Sequence, residues 1–243
     1  MRIDGKLAVV TGAAVGTGRA IAERLAAEGA EVVLADIDAD GGRQTRELIG
    51  GSARFVHADL RDDDAVAELM SCEPQILVNN AGGGPELRPC FPEAEVGRWT
   101  ASLELNLRAP MLATQLALEP MRRAGGGAVV NLGSTAGLGY QPHVSPEYSA
   151  SKAALIRFTT TLGRLRDSHN VRVNCVVPDW VATERAEQEL AELSADERAA
   201  TPALIPLDTL TDTVVSLVER DDLAGRVMLL LPERSPELVP DRG

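Results

Sequence analysis

The chain has 243 residues, 44% of them hydrophobic and 25% charged, which is ample apolar material for a large buried core. Its formal net charge of −12 at pH 7 excludes a nucleic-acid partner, since backbone phosphates call for a concentrated basic face and the sequence has none. Three widely spaced cysteines, Cys72, Cys90 and Cys175, with no metal-ligand cluster around them, exclude a disulfide framework and fit a reducing compartment.

In chain order, a first strand is predicted over residues 6–10. It runs into Thr11-Gly12-Ala13-Ala14-Val15-Gly16-Thr17-Gly18 and then an amphipathic helix to about Glu28, with Ala20, Ile21, Leu25 and Ala26 at helical spacing. A strand, a glycine turn and a helix start make a phosphate cradle, because glycine allows close backbone approach and the first helical N–H groups face an anion. The spacing is G-x-x-x-G-x-G, not the commonest dinucleotide pattern, so a plain strand-to-helix turn is the alternative. A second strand over 31–34 ends at Ala35 and Asp36. A carboxylate there accepts hydrogen bonds from an adenosine ribose and repels a 2′-phosphate; Ile37, Asp38, Ala39 and Asp40 follow without an arginine, which favours NAD over NADP. The competing reading is an Asp that caps the next helix.

A third strand over 54–57 closes with Ala58, Asp59 and Leu60, and Asp62, Asp63 and Asp64 open a helix where acidic groups suit the dipole. The fourth, over 75–78, delivers Asn79-Asn80-Ala81-Gly82-Gly83-Gly84 at the carboxyl edge, where ligands gather in open parallel sheets. One long helix is predicted over about 95–123, with Pro110 and Pro120 as kink points and Asn106 on an apolar face, either a satisfied core amide or part of a site. A fifth strand over 128–132 ends at Gly133-Ser134. The next helix runs from about Ser145 or Pro146 to about 167 and carries Tyr148 and Lys152. A sixth strand over 171–177, with Cys175 as an inert buried thiol, stops at Pro178-Asp179-Trp180. The polar segment from 183 reads as one helix to 201 and, continued to about 205, as a substrate lid. A helix over 207–219, a seventh strand over 227–231 and an irregular tail with Pro232, Pro236 and Pro240 complete the chain.

Strands alternate with helices from end to end without a repeat or linker, which predicts a single α/β domain over 1–243: a Rossmann-like, doubly wound, mostly parallel seven-stranded sheet. No apolar run approaches the ~18 residues of a membrane span, so a soluble cytoplasmic protein without membrane contact is expected.

Tyr148 and Lys152 stand four apart on one helix face, in a chain with only two tyrosines and only two lysines. A phenol titrates near ~10, so poising it near neutrality takes about 4 kcal/mol of phenolate stabilisation. An ammonium one turn away in a partly dry site can supply much of it.

Together these residues resemble the short-chain dehydrogenase/reductase family, from the Thr11-Gly12…Gly16…Gly18 turn through Asp59-Leu60, Asn79-Asn80-Ala81-Gly82, Asn106, Ser134 and Tyr148…Lys152 to Pro178…Thr183. The resemblance implies a nicotinamide-dependent interconversion of a secondary alcohol and a ketone. Tyr148 would be the acid/base, Ser134 would hydrogen-bond the substrate oxygen, Lys152 would lower the tyrosine pKa and hold the nicotinamide ribose, and Asn106 would complete a proton relay through water. Gly12, Val15, Gly16, Thr17 and Gly18 would cradle the cofactor; Asp36, Ile37, Asp59 and Leu60 would serve its adenosine end. Asn80, Ala81 and Gly82 would line it, with Pro178, Val181 and Thr183 at the carboxamide. Members are usually homotetramers or homodimers.

Three departures stand out. Thr17 replaces a branched apolar residue, Asp179 replaces the glycine that normally follows the proline, and the tail Pro-Glu-Arg-Ser-Pro-Glu-Leu lacks the family's Asp-Gly-Gly ending. Candidate substrate contacts are Tyr140, Gln141, His143 and Asp179, and a neutral alcohol or ketone of modest size is expected. The alternatives are a non-catalytic dinucleotide-binding regulator and an epimerase or dehydratase of the same family.

Overall fold

The computed structural model describes residues 1–83, 89–139 and 143–240. Its strands are β1 (Leu7–Thr11), β2 (Glu31–Asp36), β3 (Ala53–His57), β4 (Ile76–Asn79), β5 (Gly127–Leu132), β6 (Val171–Pro178), β7 (Val227–Leu230) and β8 (Glu237–Leu238). They form one sheet in the order β3-β2-β1-β4-β5-β6-β7-β8, parallel throughout except for the antiparallel pair β7 and β8. The order reverses between β1 and β4, so the loops leaving those two strands diverge and open a crevice at the carboxyl edge.

Helices α1 (Gly16–Ala27), α2 (Ala39–Ile49), α3 (Asp63–Met70), α4 (Val96–Leu103), α5 (Ala109–Arg123), α6 (Pro146–Thr161), α7 (Leu165–His169), α8 (Glu184–Glu192), α9 (Ala195–Ala200) and α10 (Leu207–Glu219) cover the sheet. Successive strand residues serve opposite faces. Ala8 and Val10 of β1 join one core with Ile21 and Leu25 of α1 and Leu210, Val214 and Leu217 of α10. Val9 joins the other, with Val66 and Leu69 of α3 and Ala113, Ala117 and Met121 of α5. Both faces are dry, which is why the strands read as unbroken apolar runs rather than alternating ones. Each fully buried Leu, Ile or Val contributes about 1.5–3 kcal/mol. A polar chain crosses this core just below the crevice: Asn79 donates to Asn131 at 2.8 Å and Thr114 at 3.2 Å, and Asn131 donates to Thr159 at 2.9 Å, tying β4 and β5 to α5 and α6.

The structure corrects four expectations. The sheet has eight strands among the described residues, not seven, and the tail is not irregular: Leu238 pairs with Met228 and packs on the core. Two residues between prolines are too short for a periodicity to register. The helical stretch over 96–123 is interrupted by a π turn, Glu104–Arg108. Pro110 has no N–H to donate to the Asn106 carbonyl, and Ala109 N–H reaches back five residues to Glu104 O. The Tyr148 helix ends at Thr161, and α7 is separate, because Gly163 lies between them and packs on Ala224 and Gly225. The segment from 183 forms two helices, α9 starting afresh with a Ser194–Glu197 capping box.

Candidate active site

The carboxyl-edge crevice is a cleft of about 1470 Å³. Of the expected site residues, Gly12, Val15, Gly16, Thr17, Asp36, Ile37, Asp59, Leu60, Asn80, Ala81, Gly82, Ser134, His143, Tyr148, Lys152, Pro178, Asp179, Val181 and Thr183 line it. Gly18 and Asn106 sit behind its wall; Tyr140 and Gln141 lie outside the described residues.

The glycine turn is held by its neighbour from β4. Asn80 Nδ2 donates to the carbonyls of Thr11 at 3.0 Å and Gly12 at 3.1 Å, and its Oδ1 accepts from Thr17 Oγ1 at 2.8 Å. Thr17 is therefore a polar staple where a branched apolar residue was the family expectation. Thr11 Oγ1 accepts from the amides of Asn80 and Ala81, both at 3.0 Å. A Cβ on Gly18 would stand 1.9 Å from the Gly12 carbonyl oxygen, so only glycine lets α1 start this close to β1. No side chain caps that start, and its amides face the cleft beside exposed Val15. These features fit the pyrophosphate of a dinucleotide.

Asp36 closes β2 with both oxygens held by backbone: Oδ2 accepts from Ala14 N and Oδ1 from Asp38 N, each at 2.9 Å. The capping role belongs to Asp38, which accepts from Asp40 and Gly41 at the start of α2. Ile37 is 57% exposed at the cleft. Asp59 is gripped by Arg61, whose Nε reaches Oδ1 at 2.9 Å and whose second nitrogen reaches Oδ2 at 2.6 Å, holding the carboxyl below its usual range. Arg61 was missed from the sequence; its position two residues after Asp59 was the available signal.

At the other end, Lys152 on α6 is 4% exposed, and Nζ donates to Leu132 O at 2.8 Å while lying 5.6 Å from the Tyr148 ring centroid. Burial pushes the ammonium from 10.5 down to about 8. Cys175 beside it is pushed up to about 12, also by burial, so it stays a neutral thiol, as expected. Ser134 accepts from Ala136 N at 3.2 Å, which leaves its own proton to donate elsewhere. His143 packs on Tyr148 with ring centroids 5.9 Å apart, and its Nδ1 lies 3.1 Å from both the amide and the carbonyl of Ser145.

Asn106 is fully buried in the π turn. Its amide bonds Gly83 in both directions, donating to the carbonyl at 3.1 Å and accepting from the amide at 3.2 Å, and donates to Ser102 O at 2.9 Å. A Cβ on Gly82 would come within 2.6 Å of Asn106 Oδ1 and 3.2 Å of Lys152 Nζ, so that turn is threaded between the two side chains. Thr183 caps α8, and Val181 pairs with Ile205, so the excursion between them leaves and rejoins the core at one point. Thr135, Trp180 and Arg185 also line the cleft and were not expected. Thr135 and Trp180 stand next to Ser134 and Asp179, which was the available signal; Arg185 carries none in its local sequence, and the fold brings it to this edge.

Residues 6–194 match the family model for short chain dehydrogenase, and the chain belongs to that family of oxidoreductases, which use NAD(H) or NADP(H). Among its relatives, the L-fucose dehydrogenase of Oryctolagus cuniculus is 36% identical over 82% of this chain and 70% of that one. The cis-4-hydroxycyclohexanecarboxylate dehydrogenase of Sinomonas cyclohexanicum is 36% identical over 84% and 83%. A solved 7 alpha-hydroxysteroid dehydrogenase complexed with NADH and 7-oxo glycochenodeoxycholic acid superposes with a TM-score of 0.84 at 25% identity, covering 98% of this chain and 97% of that one. No helix among the described residues is long and apolar enough to cross a membrane.

Proposed function

We propose that this protein is an NAD-dependent dehydrogenase interconverting a small neutral secondary alcohol and its ketone, one domain over 1–243 with a substrate lid at about 183–205. The observation that carries the reading is the Lys152 ammonium, buried and 5.6 Å from the Tyr148 ring in the wall that also holds Ser134.

When bound, the nicotinamide takes up or returns the hydride. The rest falls to the chain. Tyr148 Oη removes the hydroxyl proton in alcohol oxidation and returns it in ketone reduction, and the neighbouring cation stabilises the phenolate this requires. With its pKa near 8, Lys152 remains protonated at neutral pH and provides that charge. Ser134 donates to the substrate oxygen as negative charge develops on it, the point at which a placed donor lowers the barrier. Asn106 acts as a positioning residue: it fixes the Gly82–Gly83 turn against Lys152, and the π turn sets it there. Gly12, Gly16 and the α1 amides would hold the pyrophosphate, with Gly18 behind them setting the close approach of α1 to β1; Asp36 would receive the adenosine ribose hydroxyls, and Asp59 and Leu60 would serve the adenosine end. Val181 and Thr183 meet the carboxamide. The Asp36 carboxylate, already bonded to two backbone amides, repels a 2′-phosphate and is the ground for NAD preference.

The named relatives act on a sugar, a ring-bearing hydroxy acid and a steroid, which supports alcohol chemistry and leaves the substrate to the cleft's own side chains. We also take the active form to be a homodimer or homotetramer in the cytoplasm. Tyr148→Phe is expected to retain NADH binding, read by thermal shift, while turnover of a secondary-alcohol panel followed by nicotinamide absorbance falls at least ~100-fold. Near-normal turnover in that variant rules the mechanism out.

A further inference from the structure

Two cleft residues have no part in the chemistry above. Thr135 follows Ser134 directly after β5, and Asp179 follows the end of β6; both are half-buried and line the cleft with Ser134, Tyr148 and Lys152. Thr135 Oγ1 donates to Asp179 Oδ1 at 3.2 Å, and the Asp179 amide donates to Leu230 O at 3.0 Å, so the carboxylate is steadied from its side chain and its backbone. Among the described residues Thr135 is the one side chain that donates to it. An ionised carboxylate accepts in about four directions and donates in none. Among the described residues no other side chain meets its remaining acceptor positions, which are open to water or to O–H or N–H groups of a ligand.

Position decides what that ligand presents. Ser134 and Thr135 are adjacent, with Cα atoms ~3.8 Å apart in any trans chain. The acceptor held by Thr135 therefore lies in the same cleft wall as the hydroxyl of Ser134, in reach of a second polar group on a substrate whose first oxygen meets Ser134. The buried Lys152 ammonium in the same wall disfavours a second cation there, and Asp179 itself disfavours an anion. We propose that Asp179, steadied by Thr135, is the specificity residue for a second hydroxyl beside the reacting carbinol. The substrate is then a neutral vicinal diol, the unit carried by polyols and sugars. This rests on the dehydrogenase reading and adds to it the substrate class.

The test compares kcat/KM for NAD-dependent oxidation of 1,2-cyclohexanediol, cyclohexanol and 2-aminocyclohexanol by the intact protein and by Asp179→Ala, Asp179→Asn and Thr135→Ala. NADH-induced thermal shift serves as the control for folding and loading. A hydrogen bond to a charged group is worth roughly a factor of ten or more, so the intact protein should prefer the diol over cyclohexanol at least ~10-fold. Asp179→Ala should bring that ratio close to one, while Asp179→Asn and Thr135→Ala each keep part of it. Equal efficiency on diol and cyclohexanol, a preference that survives Asp179→Ala, or a preference for the amino alcohol overturns the assignment while leaving the dehydrogenase intact. Failure of the intact, NADH-binding protein to oxidise any of the three counts against the dehydrogenase reading itself, and the diol assignment goes with it.

Discussion

At the glycine-turn end of the cleft nearly every restraint is directed at loop backbone: Asn80 on Thr11 and Gly12, Asp36 on Ala14 and Asp38, Thr11 on Asn80 and Ala81. At the Tyr148 end the restraints fix charged and polar side chains, Lys152 on the Leu132 carbonyl and Asp179 by the Thr135 hydroxyl. The first end is a rigid shape in which a substitution acts through sterics. The second is a set of placed charges and donors in which a substitution acts through chemistry and leaves the fold standing. On the proposed function the same cleft separates holding from reacting, and the two halves should respond differently to mutation.

The largest effect on the fold is expected at Gly18. A methyl group there meets the Gly12 carbonyl, which cannot move without shifting β1, so Gly18→Ala should cost about 3 kcal/mol. In a chain of this size that is a fall in Tm of about 6–12 °C, with NADH binding lost in parallel. A Tm within a degree or two of the parent would show that the turn is pliant and that the contrast is false. Next is Asp36→Ala. Its carboxylate lines the cleft, so the change should narrow the NAD over NADP ratio by ~10-fold, the value of one lost charge-assisted contact, with a fall in Tm smaller than at Gly18 from loss of its bonds to the Ala14 and Asp38 amides. An unchanged ratio would remove Asp36 from cofactor selection.

The most diagnostic effect on stability is at Lys152. Its ammonium is pushed from 10.5 to about 8, so the folded state binds that proton less tightly than the unfolded chain. The resulting penalty, about 3 kcal/mol, is present in full below about pH 8 and is relieved as pH rises from about 8 toward 10.5, where the unfolded chain still holds the proton. Lys152→Met should abolish turnover yet raise Tm by about 2–5 °C at pH 7, since loss of the bond to Leu132 O offsets part of the relief. The parent's stability should climb through that window relative to the variant. A parent curve that runs parallel to the variant's, in urea melts across the pH range, would mean that the lysine is better solvated than its burial implies.

Much of this site was legible before any coordinates. The Thr11–Gly18 turn, Asp36, Asp59 and Ser134 each lie within a few residues of a strand end, and a strand end in a parallel sheet is also an address in space; Tyr148 and Lys152 were marked instead by their spacing on one helix. What escaped reading has specific causes. The π turn at Glu104–Arg108 depends on Pro110 withholding a donor from Asn106, and proline alone signals only a possible kink. The β8 strand is two residues long and exists because Met228 and Leu238 find each other across the turn. Arg61 became part of the site through its grip on Asp59, and Asp38 took over the capping role that Asp36 could have filled.

Local periodicity, glycine sterics and helical pitch fixed most of the strand and helix order, the glycine turn after β1 and the four-residue spacing of Tyr148 and Lys152. Only the tertiary structure decided that Lys152 is buried against Leu132, that Asn106 clasps Gly83, and that Thr135 and Asp179 meet across the cleft. Those contacts join residues up to 44 positions apart, and their energies depend on how much water the assembled core excludes, a property of the packed molecule and of no single segment.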